Sequence, residues 1–173
     1  QFVSWDDDKY VYENPHIAQG LTVESMAWVF TSSYFSSWHP VTWISHIVDI
    51  ELFGLQRGQD ANILQGPGGH HLVSVILHTG NSMLLLFLLC RMTGKFWPCA
   101  LTAALFAVHP LRVESVAWVS ERKDVLSGFF FFLLTLLAYQ WYAERPTLRR
   151  YSLVITSLAM GLMAKSMLVS VPF

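Results

Sequence analysis

Charge is scarce in this chain of 173 residues: Lys, Arg, Asp and Glu make up 13% of it, against 53% hydrophobic residues and a mean hydropathy of +0.41. Ordinary soluble domains carry about a quarter charged residues, so the deficit excludes one of this size and favours a polytopic membrane protein. Basic charge is not in excess either. With a formal net charge of −1 the chain has no basic stripe to neutralise a run of phosphates, and a nucleic-acid partner is excluded. Cysteine is nearly absent. Cys90 and Cys99 both fall beside one basic turn, on the expected reducing side of a membrane, so free thiols are expected rather than a disulfide. There is no initiator Met, no signal peptide and no internal repeat, and the last apolar run stops at Phe173 without a flanking loop. A piece of a longer chain is expected.

Long apolar runs are what the chain does have. Leu72 to Cys90, Val125 to Ala143 and Tyr151 to Phe173 are each roughly 20 residues long, enough to cross a ~30 Å hydrocarbon core at ~1.5 Å per residue. Phe96 to Leu111 is shorter, about 16 residues, with Pro98 near its start and His109-Pro110 near its end. Topology requires it to cross as well. Arg91 to Lys95 and Glu144 to Arg150 are short basic turns, and such loops stay cytoplasmic. An even number of crossings must then separate them. The expected spans are therefore 72–90, 96–111, 125–143 and 151–173, and the charged clusters Trp5 to Tyr10 and His109 to Asp124 share the outer face. Trp97 and Trp141 fall at the inner boundary, and Trp5, Trp28, Trp38, Trp43 and Trp118 in the outer segments, as interfacial anchors would.

Residues 1–71 form an extracytoplasmic segment. Val23, Met26, Ala27 and Phe30 recur at helical spacing, predicting a short amphipathic helix over about 22–31. A second is predicted over about 40–53, with Val41, Ile44, Val48 and Leu52 on one side, Thr42, Ser45, His46 and Asp49 on the other, and Pro40 in the first turn. Both are too polar to cross a bilayer and too apolar to float free, so they should lie in the outer interface. Gly54 to Gly69 reads as a flexible loop. The fold class that follows is an all-α membrane protein.

Several polar residues sit where membrane helices rarely tolerate them. His71, Ser74, His78 and Asn81 recur at three- and four-residue steps, which collects them on one face that must avoid lipid. Lys165 falls some 20 Å across the last span, where its ammonium either snorkels to the outer interface or meets an anionic substrate group. Asp6, Asp7 and Asp8 read as a solvated acidic turn, a helix N-terminus or part of a site. Glu114, Glu121, Arg122, Lys123 and Asp124 read as a surface ion-pair network or as ligands. A divalent metal is a further option, because His16, His39, His46, His70, His71 and His109 all fall outside and His46 and Asp49 share a helical face.

Phe2-Val3-Ser4-Trp5-Asp6-Asp7, Tyr10-Val11, Asn14-Pro15, Trp38-His39-Pro40, His109-Pro110, Val113 to Ala117 and Gly161 to Lys165, taken in order along almost the whole chain, resemble the membrane half of the TMTC-type proteins. These are transmembrane and tetratricopeptide-repeat O-mannosyltransferases with bacterial relatives, within the GT-C glycosyltransferase superfamily. The resemblance implies a GT-C-like helical bundle fragment that moves a sugar, mannose or another hexose, from a polyprenyl- or dolichyl-phosphate donor to a protein or glycan hydroxyl. Transfer would occur on the extracytoplasmic side, with inversion. A positioned carboxylate must take the acceptor's proton, which points to Asp6, with Asp7 as its rival. Arg122 and Lys165, with Lys123 behind them, would face the departing phosphate, and Glu114 and Asp124 would orient the sugar or hold those cations. Arg112 where His is expected, Ser166 where Pro is common and the long Gly54 to Gly69 loop depart from the family pattern. The wording from Val116 to Asp124 is closest to bacterial members, implying an inner membrane with a periplasmic active face. The alternative is a non-enzymatic polytopic membrane protein, a transporter or scaffold fragment, which needs no acidic pair.

Overall fold

The computed structural model describes residues 7–34, 38–54 and 67–170, and among them every regular element is helical. A π-helical turn, Asp8–Tyr12, leads into α1 (Pro15–Ala18), α2 (Val23–Thr31) and α3 (Pro40–Phe53). Then come α4 (Pro67–Thr93), α5 (Phe96–Val108), α6 (Arg112–Ala117), α7 (Phe132–Glu144) and α8 (Leu148–Ala164). A 3-10 turn, Val119–Glu121, and a π-helical stretch, Asp124–Phe131, connect α6 to α7, and a second 3-10 turn, Ser166–Ser170, follows α8.

Local chemistry sets these boundaries. Thr22 and Ser25 cap α2 reciprocally: each hydroxyl accepts the other's backbone N–H at 3.0 Å. Pro40 and Pro67 open α3 and α4, where a missing N–H costs nothing. This moves the start of α4 back into the stretch expected as loop, so Gly68 and Gly69 are helical. The remainder of that loop, residues 55–66, lies outside the described residues. Gly94 ends α4 with φ of 69°, a left-handed conformation glycine adopts without penalty, and its N–H bonds Cys90 O at 2.8 Å. α5 stops at Val108, ahead of His109-Pro110.

Pro67–Thr93 is the one described helix long and apolar enough to cross a membrane, and Phe96–Val108 is a shorter apolar helix. Large apolar side chains along both, including Ile76, Met83, Leu101 and Val108, face outward. The two later runs differ from the expected unbroken spans. Between 124 and 144 the backbone is π-wound before it becomes α7. The last run closes early: Thr42 of α3 donates its hydroxyl to Ala164 O at 3.0 Å, satisfying a terminal carbonyl of α8, and Lys165 is extended. Residues 171–173 lie outside the described residues.

α4 with α5 and α7 with α8 pack as neighbours across short turns, and α3 lies against α4 and α8. Arg91, near the end of α4, holds Glu144, the last residue of α7, at 2.6 Å, and stacks over Trp141. Both basic turns therefore sit at one end of the bundle. Ser74 and Asn81 of α4 are fully buried, and Asn81 donates to Val125 O at 3.0 Å. Its polar face thus turns inward.

A separate aromatic core ties down the N-terminal segment. Tyr10, Val11, Ile17, Val29, Trp43, Ile47 and Ile50 pack with Val119. Trp43 is 1% exposed, 4.9 Å from Tyr10, so it is a core residue rather than the expected interfacial anchor. The two faces of α3 sort in an instructive way. Its polar face, with Thr42, His46 and Asp49, is buried on the bundle, while Val48 and Leu52 face outward.

Candidate functional site

Residues 120 to 125 form a hub in which consecutive positions grip different parts of the chain. Ser120 holds Asp7 through its backbone N–H at 2.9 Å and its hydroxyl at 2.5 Å. Arg122 is completely buried. Its guanidinium donates to Asp49 Oδ2, to His70 O at 2.6 Å and to Ser74 Oγ at 3.3 Å. Lys123 pairs with Glu121 at 2.9 Å and lies 5.1 Å from the Tyr10 ring. Asp124 holds Lys165, and the carbonyl of Val125 accepts from Asn81. The irregular 3-10 and π winding allows this. A regular helix would send neighbouring side chains around its axis in 100° steps, whereas tighter and looser turns redistribute them.

The electrostatics follow from burial and neighbours. Burial opposes the charge of Lys123, but Glu121, Tyr10 and Asp124 outweigh it and hold its pKa above the ordinary lysine value. Burial lowers the pKa of Arg122, and the adjacent Asp49 carboxylate counters this. His39, nearly buried at the start of α3, is pushed down by burial and then by the charges of Lys123 and Lys165. His46 is pushed well down, first by burial and then by Arg122.

The predicted site residues are distributed as follows. Asp7 is fully buried on Ser120, and Asp6 lies outside the described residues. Lys123 and Asp124 are neighbours in the hub, and Asp124 carries Lys165. Lys165 begins the chain segment after α8, whose 17 residues rise about 25 Å from the basic turn, so this group sits at the end opposite Arg91 and Glu144. Glu114 is exposed on α6, apart from these pairings. Arg122 differs most from the expectation of a phosphate ligand. Its guanidinium faces inward and is engaged by Asp49, His70 and Ser74.

Ser120 was not singled out by sequence, and His39, Asp49 and His70 entered there only as options for a metal, not as members of the charged site. Ser120 carries no periodic signal and sits in an irregular turn. Asp49 did leave a trace: an acid amid an otherwise apolar helix requires a partner once buried. The cysteines are free, and Cys99 Sγ contacts Thr93 Oγ1 at 3.2 Å.

No protein-family model matches the chain. No solved structure matches it either. Among known proteins it is 30% identical over 147 residues to protein O-mannosyl-transferase TMTC1 of Mus musculus, covering 78% of this chain and 14% of that protein. It is 38% identical over 87 residues to protein O-mannosyl-transferase tmtc2 of Xenopus laevis, covering 50% of this chain and 10% of that protein. With protein O-mannosyl-transferase TMTC4 of Homo sapiens it shares 38% over 86 residues, 42% of this chain and 12% of that protein. The chain thus spans only a small part of the length of these relatives. These partial, low-identity matches support a family relationship between this chain and the TMTC protein O-mannosyl-transferases.

Proposed function

We propose that this chain belongs to a membrane glycosyltransferase that moves a sugar, mannose or another hexose, from a polyprenyl-phosphate donor to a hydroxyl of a protein or glycan at its extracytoplasmic face. One observation carries the reading: Ser120 grips Asp7 and, four residues on, Asp124 grips Lys165, so a carboxylate and a cation are fixed to one short segment. Asp6 or Asp7 takes the proton from the acceptor hydroxyl. The acceptor oxygen bonds to the anomeric carbon from the face opposite the phosphate, the carbon–oxygen bond to phosphate breaks, and configuration inverts. The lipid phosphate departs with the electron pair, facing Lys165 with Lys123 behind it. Asp124 orients Lys165, Glu114 lies at the exposed rim where the sugar enters, and Arg122 acts through Asp49 as a positioning residue. The α3 face bearing Val48 and Leu52 lies against lipid, with the four spans of the bundle beyond it.

The test is transfer from a polyprenyl-phosphate sugar by the full-length protein carrying Asp6→Asn, Asp7→Asn or both. Loss of turnover with retained folding in at least one single variant is expected. Wild-type turnover by the double variant overturns the reading. A second reading, a non-enzymatic scaffold, draws on the mutual pairing of Arg122 with Asp49 and of Lys165 with Asp124, since charges that satisfy one another also hold a bundle together. That reading expects the double variant to keep every activity of the protein.

A further inference from the structure

His46 stands fully buried on the inward face of α3, and neither of its ring nitrogens meets a hydrogen-bond partner among the described residues. Buried polar atoms in folded proteins are nearly always satisfied, so an orphaned imidazole calls for an explanation. Two other groups with ligand chemistry surround it. Asp49 follows three residues later on the same face and is 2% exposed; His70, also buried, enters from the first turns of α4. One ligand atom from each of the three lies within 4.8 Å of the others, and the His46 and His70 rings are 5.8 Å apart.

We propose that His46, Asp49 and His70 form a binding site for a divalent transition metal of the zinc type, clamping α3 onto the start of α4. Two imidazoles and one carboxylate are the donor set such ions favour, whereas magnesium and calcium take oxygen ligands. Ligand atoms around tetrahedral zinc lie about 3.4 Å apart, for bonds of about 2.0 to 2.2 Å. His70 Nδ1 already lies 2.7 Å from Asp49 Oδ2, so that side must open as both turn to a metal, while the His46 ring, held by no hydrogen bond among the described residues, can turn to close the other two. Arg122 donates to Asp49 Oδ2 and serves as the outer partner that orients a ligating carboxylate. Its positive charge opposes a dication, which makes the site weaker than one lined by anions alone. Metal uptake and unfolding temperature are read without sugar transfer, so failure of the clamp and failure of the transfer reading are distinguishable.

Cobalt(II) is the probe. The full-length protein, purified in detergent and stripped with chelator, is titrated with cobalt and its visible absorption followed. Saturation at one equivalent with the intense bands of a four-coordinate site is expected, together with a rise in unfolding temperature on adding zinc that chelator reverses. His46→Ala and the more conservative His46→Gln should abolish or sharply weaken both effects, while His109→Ala, at an exposed position, should keep them. Wild-type protein that takes up no stoichiometric cobalt and whose unfolding temperature ignores zinc overturns the proposal. Binding that survives in either folded His46 variant at wild-type strength does the same. The wild-type titration decides the matter even where a variant does not fold.

Discussion

Ser120 presents both its backbone N–H and its hydroxyl to a single oxygen of Asp7, across a separation of 113 residues. The contact docks the N-terminal segment onto the hub and fixes the orientation of one carboxylate. Ser120→Ala removes the hydroxyl bond and keeps the backbone bond. A hydrogen bond to a charged group is worth about 1.5 to 3 kcal/mol, so a stability loss in that range is expected by chemical denaturation. Transfer should fall several-fold, and less than in Asp7→Asn.

Arg122 is a different case, because its charge is wholly enclosed. Removing one partner of a buried pair strands the other, which typically costs about 3 to 5 kcal/mol. Arg122→Met should destabilise the protein by that order, and Arg122→Lys by nearly as much, since an ammonium cannot reproduce three differently directed bonds to Asp49, His70 and Ser74. The double variant Asp49→Asn with Arg122→Met should recover part of the loss. Thermal unfolding of the singles and the double measures the coupling directly.

Lys165 and Asp124 are partly exposed, at 26% and 29%. Such pairs contribute about 0 to 1 kcal/mol, so Lys165→Met should unfold within that margin of wild type. Its transfer rate should nevertheless collapse if the ammonium faces the departing phosphate. Lys165→Arg should retain part of the activity. A Lys165→Met protein that is badly unfolded, or fully active, would contradict the assignment.

Acid sensitivity has a defined sign. Burial, Lys123 and Lys165 depress the pKa of His39 in the folded state, so the unfolded chain binds its proton more readily. The stability this histidine contributes is complete above its ordinary value of about 6.5 and is lost as pH falls from there through the lower folded value. His39→Gln should flatten that part of the decline, as seen in unfolding temperatures measured from pH 8 to pH 5.

Gly161 tests the packing of α8. A Cβ there would come within 2.9 Å of Phe131 Cβ and would also strike the Leu168 side chain. Phe131 Cβ is fixed to its backbone and cannot swing away. Gly161→Ala should cost about 1 to 3 kcal/mol by overpacking, despite the higher helix propensity of alanine. Gly80→Ala, where the added carbon meets nothing within 4 Å, is the control.

Helices were legible where short-range patterns marked them, in the long apolar runs, the helical spacing of apolar residues over 22–31 and 40–53, and Pro40 in a first turn. The two sides of α3 were equally legible as a pattern, but which one faced the protein was not. In water the apolar side turns inward. Here Thr42 and Asp49 are buried with partners contributed by other segments of the chain, Ala164 for the one and Arg122 and His70 for the other, and His46 lies between them. Trp43 shows the same limit. Aromatic composition suggests an interfacial ring, and only the packing of Tyr10, Trp28 and Tyr34 around it makes a core.

What the sequence by itself determined was the all-helical class, the scarcity of charge and the positions of the acidic and basic groups, since these are local or compositional properties. The tertiary structure alone decided their employment. It turned Arg122 inward to Asp49, set Lys165 on Asp124, and gave Asp7 to Ser120. A charge in a low-dielectric setting is governed by the partner within a few ångströms, and for residues tens of positions apart only folding chooses that partner.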